Sequence, residues 1–175
     1  YNPASQLIDI SRTYNYTVGG VQKKWQPKNY GGQFEGIVSL RDSLTFSRNL
    51  STLNLVTDVG LGLTTAELKK YGFKDLAENL SITLGSINVN LIEFSEAYSA
   101  ISNNGTQVKP YIIEQIVNRN GDVVTFEPQT KEINTPEQSY LMTSILSDVV
   151  KRGTGKNAQV AGIELAGKTG TTNNN

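Results

Sequence analysis

Apolar residues recur at helical spacing from about Ser39, at Leu40, Leu44, Leu53 and Val56, and the spacing fades at Gly60 and Gly62. Before it, residues 1–36 read as irregular and polar, broken by Gly19-Gly20, Pro27, Gly31-Gly32 and Gly36, with Trp25 and Tyr30 among the breaks. Thr64-Thr65-Ala66-Glu67 has the form of a capping box, and Gly72 is the expected stop of the short helix behind it. Asn90 with Glu93 opens a further helix, whose expected face is Leu91, Phe94, Ala97, Tyr98 and Ile101 until Gly105. Strands are predicted over 111–117 and 123–126, joined around the hairpin signal Asn120-Gly121. The clearest helix starts at Thr135-Pro136 and carries Leu141, Ile145 and Val149 to Gly153. Alternation from Ile163 to about Thr172 predicts a last strand. The class is α+β, helix-rich. One strand at 163–172 makes no sheet, so its partners are expected outside 1–175.

Charge and composition narrow the chemistry. The 175 residues carry 16 basic and 16 acidic side chains, a formal net charge of zero. No basic excess is available to hold a nucleic-acid backbone or an anionic membrane. With 37% hydrophobic and 18% charged residues the chain is globular rather than disordered. It has no His, which excludes Ser-His-Asp and Cys-His nucleophilic sites and His-ligated metals within these residues. It has no Cys, which excludes disulfides, thiolate chemistry and iron–sulfur clusters. Covalent chemistry is left to Ser, Thr, Lys, Asp, Glu or Tyr. No run approaches the roughly 18 apolar residues of a membrane span. The first residue is Tyr1, and the sequence is expected to be a piece of a longer protein.

Several motifs carry competing readings. Gly162-Ile163-Glu164-Leu165-Ala166-Gly167-Lys168-Thr169 fits the phosphate-loop pattern, but its interior is strand-like and a poor helix former follows. As a strand, Lys168-Thr169-Gly170-Thr171 offers an ammonium, two hydroxyls and a backbone that Gly170 leaves uncovered. Period-two alternation would put Thr169 and Thr171 on one face, suited to a substrate carboxylate, and Lys168 on the other. Otherwise Lys168 is a solvated surface residue. Ser47-Arg48-Asn49 interrupts a helical stretch, and by itself Ser47 reads as a capping or solvated residue. Trp25 reads as an aromatic pinning its loop to the core. The sequons at Asn15, Asn49, Asn79 and Asn104 matter only in a eukaryotic secretory route.

Set in order, these pieces resemble the penicillin-binding transpeptidases, within them the class A bifunctional proteins of the bacterial cell wall. Trp25-Gln26-Pro27-Lys28-Asn29-Tyr30 resembles the family's W-x-P-x-N-Y. Val38-Ser39-Leu40-Arg41-Asp42-Ser43-Leu44 leading to Ser47-Arg48-Asn49 resembles its segment around S-x-N. Leu84-Gly85-Ser86, Phe94-Ser95-Glu96-Ala97-Tyr98 and Asn104-Gly105 follow, then Gly153-Thr154-Gly155 and Ala166-Gly167-Lys168-Thr169-Gly170-Thr171-Thr172. The order holds over nearly the whole chain and displaces the capping reading of Ser47 and the phosphate loop.

The resemblance implies a partial penicillin-binding transpeptidase fold, serine β-lactamase-like, with the KTG strand but without most of the central sheet; 1–175 would be one incomplete domain. It implies a serine that attacks the D-Ala-D-Ala amide of peptidoglycan stem peptides and is acylated by β-lactams, with no cofactor and no metal. Ser47 would relay a proton, Asn49 would hold the substrate amide, and Lys168 would set the positive potential. Thr169, Gly170 and Thr171 would bind the carboxylate and supply an oxyanion-hole N–H. The expected partners are stem peptides, β-lactams and the remainder of the parent chain, in the periplasm or on the outer face of the cytoplasmic membrane. The family's S-x-x-K nucleophile motif is missing: none of the fourteen serines has Lys three residues on, and only Thr106-Gln107-Val108-Lys109 offers a hydroxyl version, in an expected loop. These residues alone are therefore expected to be inactive. A non-catalytic penicillin-recognising relative and a D,D-carboxypeptidase are the alternatives.

Overall fold

A computed structural model describes residues 1–77 and 79–171. They fall into two compact units: Tyr1–Thr64 with Ala77–Ser86 and Thr143–Asn175, and Thr65–Leu76 with Ile87–Met142.

The first unit opens with strands where the sequence pattern predicts irregular chain. β1 (Gln6–Asp9) pairs antiparallel with β4 (Gly36–Ser39), setting Leu7 opposite Val38, both buried. Between them β2 (Tyr14–Val18) and β3 (Val21–Trp25) form a hairpin. Its turn is Gly19-Gly20, with φ of +57° and +79°, a left-handed pair that glycine adopts without a Cβ penalty. Trp25 sits opposite Tyr14 with ring centroids 5.6 Å apart, in keeping with a packing role.

Ser39 then caps α1 (Leu40–Thr45), its hydroxyl accepting the Asp42 N–H. The helical stretch is interrupted after Thr45, where Ser47-Arg48-Asn49 was expected to break it, and resumes as α2 (Asn49–Val59). α3 (Leu61–Lys70) runs through Gly62. Thr64 lies inside it and donates its hydroxyl back to the Gly60 carbonyl at 3.1 Å, so the predicted capping box is not used. Leu50, Leu53 and Val56 of α2 are buried, as are Leu7, Val38, Ile82, Ile145, Leu146, Val149 and Val150 of the same unit. Ile145 and Val149 lie one helical turn apart on α5 (Pro136–Lys151), which supports the period read from the sequence.

The second unit follows the predicted caps. Asn90 and Glu93 form the expected capping box of α4 (Leu91–Ser102), whose buried residues are Ala97 and Ala100, while Leu91 is exposed. Short β5 (Thr106–Val108) pairs with β8 (Thr130–Glu132), so Thr106-Gln107-Val108 is strand rather than loop. Gly105 permits this: a Cβ there would stand 2.0 Å from the Asn134 carbonyl oxygen. The hairpin forms as β6 (Gln115–Val117) and β7 (Val123–Thr125), shorter than predicted, with the Asn118 side chain accepting the Asn120 and Asp122 N–H groups in its loop.

The expected strand over 163–172 is not a strand. Ile163 makes one isolated bridge with Val160, and 164–171 carry no ladder bonds. Among the described residues no strand lies beside them to take those bonds; Thr172 is outside the described residues.

Candidate active site

The site is built where α1 stops. Ser47 adopts φ +53°, a left-handed conformation costing a non-glycine residue about 1 kcal/mol or more, and it separates α1 from α2. Around this turn the Ser47 N–H reaches the Leu44 carbonyl at 3.2 Å and the Arg48 N–H reaches the Ser43 carbonyl at 2.8 Å. The buried hydroxyls of Ser43 and Ser51 meet at 2.7 Å, joining the two helices across it. Arg48 also pairs with Glu35.

A second element reaches the turn from the end of α5. Arg152 pairs with Asp42 at 2.7 Å and Asp148 at 3.1 Å, and Arg41 pairs with Asp148 at 3.0 Å. Burial pushes the Asp42 carboxyl up, but hydrogen bonds from Arg152 and Ser39 and the Arg152 charge outweigh it and hold its pKa below the ordinary value. Asp148 is held low in the same way, burial being outweighed by Arg41 and Arg152. Next in the chain, Gly153 passes so close to α1 that a Cβ would lie 2.2 Å from the Thr45 carbonyl oxygen. The Thr154 N–H donates to that carbonyl at 3.3 Å.

These contacts set the Lys168 segment beside Ser47. The Gly167 N–H donates to Leu146 O at 3.2 Å, and Thr154 Oγ1 meets Thr169 Oγ1 at 2.7 Å. The Lys168 ammonium then donates to Ser47 Oγ at 2.9 Å and to its neighbour's carbonyl, Thr169 O, at 2.8 Å. Burial lowers the Lys168 pKa from its ordinary value, and among the described residues no carboxylate pairs with it. A desolvated cation without a counter-anion favours an incoming negative charge. With Oγ occupied by the ammonium as acceptor, the Ser47 hydroxyl keeps its proton to donate elsewhere.

The remaining expected residues are less engaged. Thr169, Gly170 and Thr171 are exposed, and open space surrounds the Cβ position of Gly170. Asn49 is the first residue of α2 and donates its Nδ2 to Lys28 O at 3.0 Å. No hydrogen bond joins Asn49 to 168–171 among the described residues. The phosphate loop fails on structure, because 169–171 after Lys168 are not helical. Among the described residues no cluster of acidic side chains could hold a metal ion. Sequence reasoning missed Thr154: Gly153-Thr154-Gly155 stood out as a motif, but no local pattern pairs it with Thr169.

The profile of the penicillin binding protein transpeptidase domain matches residues 5–175. The chain belongs to that family. It is 34% identical over 160 residues to penicillin-binding protein 1A of Neisseria gonorrhoeae, a match covering 86% of this chain and 20% of that protein. Against penicillin-binding protein 1A of Rickettsia bellii it is 35% identical over 175 residues, covering 85% and 22%. The transpeptidase segment thus spans about a fifth of the length of these relatives. Among solved structures, penicillin-binding protein 1A from Haemophilus influenzae superposes with a TM-score of 0.77 at 22% identity, covering 95% of this chain and 28% of that one. Penicillin-binding protein A from M. tuberculosis, an imipenem acyl-enzyme complex, gives 0.80 at 19% identity, covering 98% and 44%. These likenesses show the partial transpeptidase fold expected from the sequence. Among the described residues no helix is long and apolar enough to cross a membrane.

Proposed function

We propose that residues 1–175 are part of one transpeptidase domain of a peptidoglycan D,D-transpeptidase, a serine acyltransferase whose nucleophilic Ser and its Lys lie outside this segment. The observation that carries the reading is the 2.9 Å contact between Lys168 Nζ and Ser47 Oγ, groups 121 residues apart that stand in two of the family's motifs. The nucleophilic serine attacks the carbonyl carbon of the D-Ala-D-Ala amide. Its Oγ–C bond forms, the C–N bond breaks, and the terminal D-Ala leaves as an amine after taking a proton. The proton of the nucleophilic hydroxyl passes by way of the base beside it to Ser47, which, held by the Lys168 ammonium, hands its own proton to the departing amine and ends as it began. Thr169 and Thr171 take the substrate carboxylate, Gly170 lets the strand of substrate lie close to the backbone, and the Thr171 N–H faces the developing oxyanion. Asn49 holds the substrate amide. An amine from a second stem peptide then displaces the serine ester, and a β-lactam acylates the same serine through its strained amide.

In this reading no cofactor or metal takes part, and the protein works in the periplasm or on the outer face of the cytoplasmic membrane. The test is turnover by the full-length parent protein of a stem peptide ending in D-Ala-D-Ala, with a second peptide supplying the amine. Release of D-Ala with a cross-linked product supports the proposal. D-Ala release with water alone as acceptor points to a carboxypeptidase. A folded parent that releases no D-Ala yet binds β-lactams contradicts the proposal in favour of a non-catalytic penicillin-recognising relative, and one that does neither contradicts both readings.

A further inference from the structure

The start of α2 is held from a distance. Its N-cap residue, Arg48, makes no side-chain capping bond, yet Leu50 near the helix start has a backbone N–H that helical geometry leaves without an intrahelical acceptor. Asn29 supplies one: its Oδ1 accepts the Leu50 N–H at 3.0 Å, across 21 residues of sequence. The Asn29 side chain is in turn fixed at its other end, where Nδ2 donates to Asp9 Oδ1 at 2.8 Å and to Gln33 O at 3.0 Å. Asp9 is 0% exposed and Asn29 4%, and the second Asp9 oxygen accepts the Glu35 N–H at 3.1 Å. A carboxylate this enclosed persists only with its oxygens bonded, so the pair is locked in one orientation. The residue before Asn29 completes the arrangement, since Lys28 O accepts Asn49 Nδ2 at 3.0 Å. That bond takes one of the two Asn49 Nδ2 hydrogens to the backbone and sets the plane of the amide, leaving its second N–H and its carbonyl oxygen for other partners.

We propose that Asn29, oriented by Asp9, is a positioning residue for the Ser47-Arg48-Asn49 turn, fixing where α2 begins and how the Asn49 amide is turned toward an acyl donor. This rests on the acyl-transfer reading of Ser47 and Asn49 above. Asn29 touches neither Ser47 nor Lys168; it acts through the backbone of α2 and through Lys28.

The experiment is stopped-flow acylation of the full-length parent protein by a fluorescent penicillin, resolving the dissociation constant of the first complex from the limiting acylation rate. If the wild-type protein is not acylated, the acyl-transfer reading fails and this proposal with it. Given wild-type acylation, Asn29→Ala lowers the limiting rate about tenfold to a hundredfold, with the dissociation constant changed less than about threefold. Asn29→Asp sets two buried carboxylates together and is slow as well. Exchanging the pair, Asp9→Asn with Asn29→Asp, restores a donor between them and keeps acceptors for the Leu50 and Glu35 N–H groups, but sets a carboxylate oxygen where Asn29 Nδ2 met Gln33 O at 3.0 Å. The exchanged protein is therefore acylated faster than Asn29→Asp without reaching the wild-type rate. A folded Asn29→Ala protein acylated at the wild-type rate, or one weakened in the first complex alone, overturns the proposal. So does an exchanged pair that melts like wild type but stays as slow as Asn29→Asp, which keeps the test decisive even if Asn29→Ala does not fold.

Discussion

The Ser47-Arg48-Asn49 turn and the Lys168-Thr169-Gly170-Thr171 segment meet through a single side-chain contact, yet they are held in opposite ways. The turn is fixed by two helices, the Ser43–Ser51 hydroxyl pair and the buried Asp9–Asn29 couple, so its strained Ser47 backbone is set by its surroundings. The Lys168 segment has no strand ladder and is tethered by Gly167, by Thr154 and by the Lys168 ammonium. Thr169, Gly170 and Thr171 stay exposed, with only the Thr169 hydroxyl and carbonyl engaged among the described residues, by Thr154 and Lys168. The difference fits the two tasks of the proposed mechanism: a proton relay needs fixed geometry, whereas a carboxylate site needs donors left open for the ligand.

The contrast is broken most severely at the contact itself. Lys168→Ala in the full-length parent is expected to slow acylation by a labelled penicillin about 10²–10³-fold. Its unfolding free energy should move far less, by about 1 kcal/mol, because the half-buried side chain loses hydrogen bonds to Ser47 and Thr169 but no carboxylate partner among the described residues. A loss of stability in step with the rate would make Lys168 a structural residue. Lys168→Arg sharpens the point through pH. The lowered Lys168 pKa means that its charge is lost as pH rises, below the 10.5 of an ordinary lysine. The acylation rate should therefore show an alkaline fall that disappears in Lys168→Arg, whose guanidinium stays charged; an unchanged fall would assign it to another group.

Gly153→Ala attacks the fixed side. Its Cβ would stand 2.2 Å from Thr45 O, and denaturant unfolding should show a loss of about 1–3 kcal/mol. The open side responds more gently. Thr154→Val removes the hydroxyl facing Thr169, and affinity for carboxylate-bearing lactams is expected to drop about threefold to tenfold with the melting temperature nearly unchanged.

The smallest effect is expected at Arg152→Ala, about 1 kcal/mol of stability, since its ion pairs are partly exposed. The sign with pH follows from Asp42 and Asp148, whose carboxyls are held below the ordinary 3.8 in the folded state. Their contribution is complete above that unfolded value and is lost as pH falls through the folded pKa values. The gap between wild type and variant should narrow as pH falls below 3.8, and unfolding curves from neutral pH into that range would reveal a gap that does not narrow.

How legible each region was depends on the range of its interactions. Asn90 with Glu93, Thr135-Pro136 and Asn120-Gly121 act within a few residues, and the elements they announce are present. Gly19-Gly20 is an equally local hairpin signal, but the polar Val21–Trp25 strand behind it hid the pairing. β1 and β4 are four residues each and pair across the 26 residues between them, so neither shows a period of its own. Ser47, Asn49 and Lys168 were readable only as motifs in order. The Asp9–Asn29 couple and the Thr154–Thr169 contact were not readable, because an isolated Asp or Thr carries no sign of what it will face. The expected strand at 163–172 failed because alternation describes side chains, whereas a strand is made by a neighbour that takes its backbone bonds.

The most direct measurement of the central claim is intact mass followed by peptide mapping of the full-length parent protein after incubation with labelled penicillin. One stoichiometric adduct is expected, on a serine outside residues 1–175, formed far more slowly in Lys168→Ala. An adduct on any of the fourteen serines of this sequence, Ser47 included, or a folded protein that takes no adduct, would contradict it.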